Sequence, residues 1–137
     1  MPDNLTPKQR SYCMSRVKNK DTDIEKTVRS ELHKRGFRFR KHVKKLPGTP
    51  DIVFTKAKVA VFIDGDFWHG YRFPAWEHQV SDFWKKKIRI NRERDQNNYK
   101  KLRNMGWKVI RLWKHDVKND LPRCISRITE SISERLI

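Results

Sequence analysis

The run Val59-Ala60-Val61-Phe62-Ile63 dictates the architecture. Five consecutive apolar residues leave no wet face, so the run reads as a central strand buried on both sides. Such a strand needs cover above and below, and the flanking sequence supplies helices. Thr22-Asp23-Ile24-Glu25 is a capping box opening a helix with Ile24, Val28 and Leu32 on one face and Gly36 at its end. From about Ser81 to Met105 a long helix carries the stripe Trp84, Ile88, Tyr99 and Leu102, closed by Gly106. Asp120 caps a last helix with Leu121, Ile125, Ile128, Ile132 and Leu136 on one face. Between the helices, Phe37, Phe39 and Val43 alternate with Arg38, Arg40 and His42 as in a half-exposed strand. The turn cluster Leu46-Pro47-Gly48-Thr49-Pro50 precedes the short strand Ile52-Val53-Phe54, and Trp107 to Trp113 is another strand. Ahead of all these, Thr6-Pro7-Lys8-Gln9 opens a short basic helix. The order α-α-β-β-β-α-β-α predicts an α/β fold, a central mixed sheet flanked by helices. An N-terminal basic arm over 1–20 joins a single domain over 21–137.

Charge names the partner. With 33 Lys+Arg against 16 Asp+Glu, the chain carries +17 and repels itself unless a polyanion relieves it. The basic residues are bunched: 1–45 holds 14 Lys/Arg and 85–103 holds 9, flanking an aromatic centre like the walls of a phosphate-tracking groove. A membrane partner is not expected, because there is no run of about 18 apolar residues and no signal-like stretch behind Met1. Cys13 and Cys124 stand far apart without a C-x-x-C, so a disulfide framework is not expected and a reducing cytoplasm fits.

Acids are scarce, so their placement is informative. Asp51 opens one strand and Asp64 closes the next. If these strands pair, both carboxylates reach the same sheet end, where grouped carboxylates bind Mg²⁺ for phosphate chemistry. Singly, each would merely cap a strand or turn. Asp95 sits seven residues from both Ile88 and Leu102, in the middle of an apolar stripe. A carboxylate there must be paired or functional: a structural ion pair with an Arg, or an acid that orients a catalytic His. His69, between Trp68 and Gly70 in the loop after the buried strand, is a general-base candidate. Glu25 reads first as the partner of the Thr22 cap.

Seven of the 15 aromatics fall within 67–84, and those from Phe67 to Trp76 follow neither helical nor strand spacing. Rings on a loop beside basic residues suit stacking on bases or wedging between them. A small hydrophobic core under the loop would claim some of them.

Together these pieces resemble the bacterial very-short-patch-repair (Vsr-type) DNA mismatch endonucleases. The resemblance is carried by Arg10-Ser11 with Met14, Asp21-Thr22-x-Ile24-Glu25-Lys26, Gly36-Phe37-x-Phe39-Arg40 and Leu46-Pro47-Gly48-x-Pro50-Asp51. It continues through Phe62-x-x-Gly65-x-Phe67-Trp68-His69, Phe83-Trp84-x-x-Lys87-Ile88, Asn91-x-Glu93-Arg94-Asp95 and Leu102-x-x-x-Gly106-Trp107. It implies a restriction-endonuclease-like (PD-(D/E)XK-type) core and a Mg²⁺-dependent nick 5′ to the T of a T:G mismatch left by deaminated 5-methylcytosine. By the same resemblance, Asp51 binds metal, Ile63 contributes a main-chain carbonyl, His69 is the general base, Asp95 orients it, and Glu25 is the site glutamate. Phe67, Trp68 and Trp84 match the aromatics that enter the DNA, and the first basic helix with Met14 matches an arm on the minor groove. Related nucleases use an acid-x-Lys where Asp64-Gly65-Asp66 has no Lys, which gives His69 the proton transfer. The expected partners are mismatched double-stranded DNA and mismatch-repair proteins, for a monomer in the bacterial cytoplasm near the nucleoid.

Two departures stand out. Family members hold a structural zinc near this loop, but the matching positions here are Asp66, Tyr71, Phe73 and His115, with no thiolate, so zinc is not expected. An Asp66–His115 hydrogen bond and aromatic packing would replace it. Some members carry His at position 64, where Asp64 would add a metal ligand or alter His69. Two other readings remain open: a restriction-type or mismatch-independent nickase of the same fold, and a non-catalytic nucleic-acid-binding module.

Overall fold

The computed structural model describes residues 23–65 and 70–136. The basic arm over 1–20, with Met14, lies outside the described residues, as does the Thr22 cap. Numbered over those described, the elements are α1 (Asp23–Lys34), β1 (Arg40–Lys41), β2 (Ile52–Phe54), β3 (Val59–Asp64) and α2 (Phe73–Trp76). A 3₁₀ turn (Glu77–Gln79) follows, then α3 (Asp82–Asn104), β4 (Lys108–Trp113), α4 (Lys114–Asn119) and α5 (Leu121–Leu136).

The strands form one four-stranded sheet in the order β1-β2-β3-β4. β1 and β3 each pair antiparallel with β2, whereas β3 and β4 run parallel, with Val61 opposite Ile110 and Asp64 opposite Trp113. β3 is the interior strand expected from its apolar run, and alternation sends its residues to two separate cores. Val59 and Val61 meet Val28 and Leu32 of α1, Ile110 and Leu112 of β4, and Ile125, Ile128 and Ile132 of α5. On the opposite face, Ala60 and Phe62 meet Tyr99 and Leu102 of α3. Helices therefore cover both faces, and each fully buried aliphatic side chain contributes about 1.5–3 kcal/mol.

Gly36 and Gly106 stop α1 and α3 as their sequence positions predict. Both are left-handed, with φ of +86° and +89°. In each case the next residue, Phe37 or Trp107, returns its N–H to the carbonyl five residues back, Leu32 or Leu102, at 3.0 Å.

The strand expected over 37–43 is where structure and sequence part. It shrinks to Arg40–Lys41, and at its far end His42 turns left-handed at φ +49° and leaves the extended path. Alternation alone puts His42 on a wet face; the turn carries its ring inward to 11% side-chain exposure. The short helix α4 also has no counterpart in the sequence reading. Among the described residues, no helix is long and apolar enough to cross a membrane.

Candidate active site

Asp51 lies just ahead of β2, at the end of the sheet where β3 runs on past its neighbour. Its N–H donates to the Val61 carbonyl at 3.0 Å, and its carbonyl accepts the His42 N–H at 3.1 Å. Its Oδ2 accepts the Ile63 N–H at 2.7 Å. The short bond to an ionised acceptor locks the carboxylate beside the Ile63 main chain. Glu25 reaches the same place from the first turn of α1, where it is 3% exposed. Its Oε2 lies 3.0 Å from His42 Nε2 and 3.4 Å from Arg29 Nη1. His42 Nε2 is in turn 4.0 Å from Asp51 Oδ1.

Glu25, His42 and Asp51 thus present donor atoms within 4.8 Å of one another. Opposite ligands of an octahedral cation with bonds of about 2.1 Å stand roughly 4.2 Å apart, so the cluster fits one divalent ion after small shifts. Two carboxylates and one imidazole also suit it chemically. Asp51 and Glu25 were expected here; His42 was not, because its place in the alternation marked it as an outward strand residue.

Asp64 shares the sheet end with Asp51, as the strand pairing required, but its carboxylate engages the α3 side of the sheet. Its Oδ2 accepts the Tyr99 hydroxyl at 2.9 Å and Arg111 Nε at 2.8 Å. The same guanidinium donates from Nη2 to Asp95 Oδ2 at 3.0 Å. One cation from β4 therefore ties together two carboxylates that are only 6% and 7% exposed. The Arg111 guanidinium also lies over the Trp113 ring, 4.1 Å from its centroid. Arg111 thus gives Asp95 a charged partner within its apolar stripe. Arg111, which like His42 carried no mark in the sequence, reads there as an ordinary polar position on an alternating strand.

Burial first, and the Asp64 charge second, push the Tyr99 phenol well above its ordinary value of 10.0, so it stays a donor. The sign follows directly. Folding favours the protonated phenol, so its contribution is complete below pH about 10 and is lost as pH rises beyond it. Urea unfolding at pH 9 and pH 11 should show stability falling with pH, with a shallower fall in Tyr99→Phe. Parallel curves would remove Tyr99 as the cause.

His69, Phe67 and Trp68 lie outside the described residues, but both ends of their segment are anchored beside this network. Asp64, at the near end, is held by Arg111. Gly70, at the far end, has φ +68°, and a Cβ there would stand 2.6 Å from Arg92 Cδ and 2.8 Å from Ile88 Cγ2. Only glycine lets the chain come down so closely on α3, within two turns of Asp95. Trp84 is 5% exposed and packs with Val80, Ile88 and Trp76. The ring presented to solvent beside it is Phe83, at 64% exposure, edge-on to Trp84.

Of the positions that the resemblance assigns to a zinc, Tyr71 and His115 pack ring against ring, and the Phe73 side chain lies outside the described residues. Tyr71 packs 4.9 Å from Trp113 and 4.3 Å from His115 between ring centroids, and Trp76 Nε1 donates to its carbonyl at 2.8 Å. Cys124 is buried with α5 in the core that holds Val117 and Ile125. Asp66 lies outside the described residues.

A mixed sheet covered by helices on both faces, with an acid-led strand beside a longer acid-ended one and a helix glutamate closing on the first acid, is the arrangement that the resemblance to restriction-endonuclease-like nucleases implies. The sequence comparisons agree. The family described as "DNA mismatch endonuclease Vsr" matches residues 2–74. The type II nicking enzyme V.XorIIP of Xanthomonas oryzae pv. oryzae is 44% identical over 87% of this chain and 89% of its own length. The type II nicking enzyme V.HpaIIP of Haemophilus parainfluenzae is 37% identical over 98% and 99%. The DNA mismatch endonuclease Vsr of Escherichia coli K12 is 32% identical over 91% and 81%. The chain belongs to the Vsr family of DNA endonucleases.

Proposed function

We propose that this endonuclease uses Mg²⁺ to nick one strand of double-stranded DNA 5′ to the T of a T:G mismatch. The observation that carries the reading is the Asp51 carboxylate, locked by the Ile63 N–H at 2.7 Å and faced by buried Glu25 at one sheet end. A divalent cation bound there supplies Lewis-acid stabilisation of the phosphate and of the leaving 3′ oxygen. Asp51 and the Ile63 carbonyl hold that cation, and Glu25 closes the site from α1. His69 removes the proton from the attacking water, and Asp95 fixes the imidazole tautomer. Asp64, at the end of β3, is joined to Asp95 through Arg111. The products are a 3′-hydroxyl and a 5′-phosphate.

Selection of the mismatch falls to Phe67 and Trp68, with Met14 on the arm; Trp84, matched to the same group, is buried at 5% exposure and set back from that role. A mispaired step costs less to unstack, so wedging favours it energetically. The long basic helix α3 and the arm track phosphates. The enzyme acts as a cytoplasmic monomer on nucleoid DNA, with mismatch-repair proteins as its functional neighbours. The relatives named type II nicking enzymes support a second reading, a nick at a sequence-defined site in paired DNA.

Nicking of otherwise identical T:G and T:A duplexes with Mg²⁺ separates the two. The first reading expects the T:G duplex to be cut and the T:A duplex spared; equal rates favour the second. His69→Ala should slow the T:G reaction by at least about 10²-fold, the usual worth of a general base. An unchanged rate would take His69 out of the mechanism.

A further inference from the structure

We propose that His42 is a nitrogen ligand of the metal site it forms with Asp51 and Glu25, and that it biases the site toward Mn²⁺ over Mg²⁺. The inference rests on the nuclease reading only in placing a divalent cation at Asp51.

The geometry is specific to this ring. The left-handed turn at His42 is held from both sides, by its own N–H on the Asp51 carbonyl at 3.1 Å and by Val43 N–H on the Pro50 carbonyl at 3.2 Å. The turn aims Nε2 at the space between two carboxylates, 3.0 Å from Glu25 Oε2 and 4.0 Å from Asp51 Oδ1. The one ring therefore faces both acids at once. All three groups are at least 87% buried by side chain, so solvent does little to screen the two acids from one another. With its proton on Nδ1, the imidazole turns the Nε2 lone pair to an ion shared with both carboxylates.

Donor chemistry then sets the preference. Mg²⁺ is hard, favours oxygen and retains its waters, whereas Mn²⁺, although it also takes oxygen, stands at the weak end of the first-row series and loses less than Mg²⁺ when one donor is an imidazole nitrogen. A nitrogen in this site therefore favours Mn²⁺.

The test uses the full chain without DNA and Mn²⁺ as the probe. Pulsed electron paramagnetic resonance of bound Mn²⁺ should show coupling to a ring nitrogen in the wild type, lost in both His42→Asn and His42→Gln. The Mn²⁺ affinity of both variants should fall by about 10-fold or more, the lower range for loss of a metal-orienting partner. His42→Gln retains a donor for Glu25 and offers oxygen, so its Mg²⁺ affinity, read by competition, should change less than about 3-fold. Circular dichroism confirms that the variants are folded.

Nitrogen coupling that persists in both variants overturns the proposal, as does wild-type Mn²⁺ bound without it. Full Mn²⁺ affinity in His42→Gln would reduce His42 to a positioning partner of Glu25 and also overturn it. If wild type binds no Mn²⁺ the proposal fails, and nicking of the T:G duplex in Mg²⁺ shows separately whether the nuclease reading stands.

Discussion

Asp51→Asn should lower single-turnover nicking by about 10³-fold or more while leaving the fold intact, because metal-ion stabilisation of the transition state is worth several kcal/mol and each 1.36 kcal/mol is tenfold in rate. Asparagine is the informative replacement. Its side-chain carbonyl still accepts the Ile63 N–H now bound by Oδ2 at 2.7 Å, so the start of β2 keeps its anchor. What disappears is the negative charge that faces Glu25 and His42. Thermal unfolding should stay within a few degrees of wild type. A rate within tenfold of wild type would show that Asp51 does not hold the cation.

The largest effect on stability is expected at Arg111. Its guanidinium reaches Asp64 at 2.8 Å and Asp95 at 3.0 Å, and both carboxylates are more than nine-tenths buried. Removing the shared cation from a buried arrangement of this kind costs about 3–5 kcal/mol, so Arg111→Leu should shift the urea midpoint sharply. Arg111→Lys keeps the charge but not the planar fork that serves two acids at once, and should fall between the two. Adding Asp64→Asn to Arg111→Leu should recover part of the loss by removing one stranded charge. A loss below about 1 kcal/mol in Arg111→Leu would mark the pair as no stronger than a surface ion pair.

These two residues illustrate what local pattern carries and what it does not. The apolar run 59–63 announced a doubly covered strand, and two glycines announced two helix ends, because both signals arise from neighbours in sequence. Asp51 was legible as an exception to a +17 composition and Asp95 as an acid inside an apolar stripe, whereas Glu25 read as a helix cap until the family resemblance placed it in the site. Arg111 carried no such mark. Its importance comes from the parallel pairing of β4 with β3, which sets it opposite Phe62 and next to Asp64, 47 residues away in sequence. His42 was misplaced for a different reason. Alternation assumes extended backbone, and a single left-handed residue turns an outward side chain into an inward one. Asp64 was placed at the correct sheet end, but the side it faces depends on pleat phase and on the Tyr99 and Arg111 partners that only the folded chain brings near. Of the aromatic group, Trp84 belongs with Trp76 to a small core of its own, the fate foreseen for some of these rings.

The most direct measurement is strand-resolved mapping of the nick on a duplex holding a single T:G pair, labelled on either strand and reacted with Mg²⁺. The expected result is one cut, on the T strand, immediately 5′ to the mismatched T, leaving a 3′-hydroxyl and a 5′-phosphate. Cuts on both strands, or a cut whose position stays put when the mismatch is moved along the duplex, would contradict it.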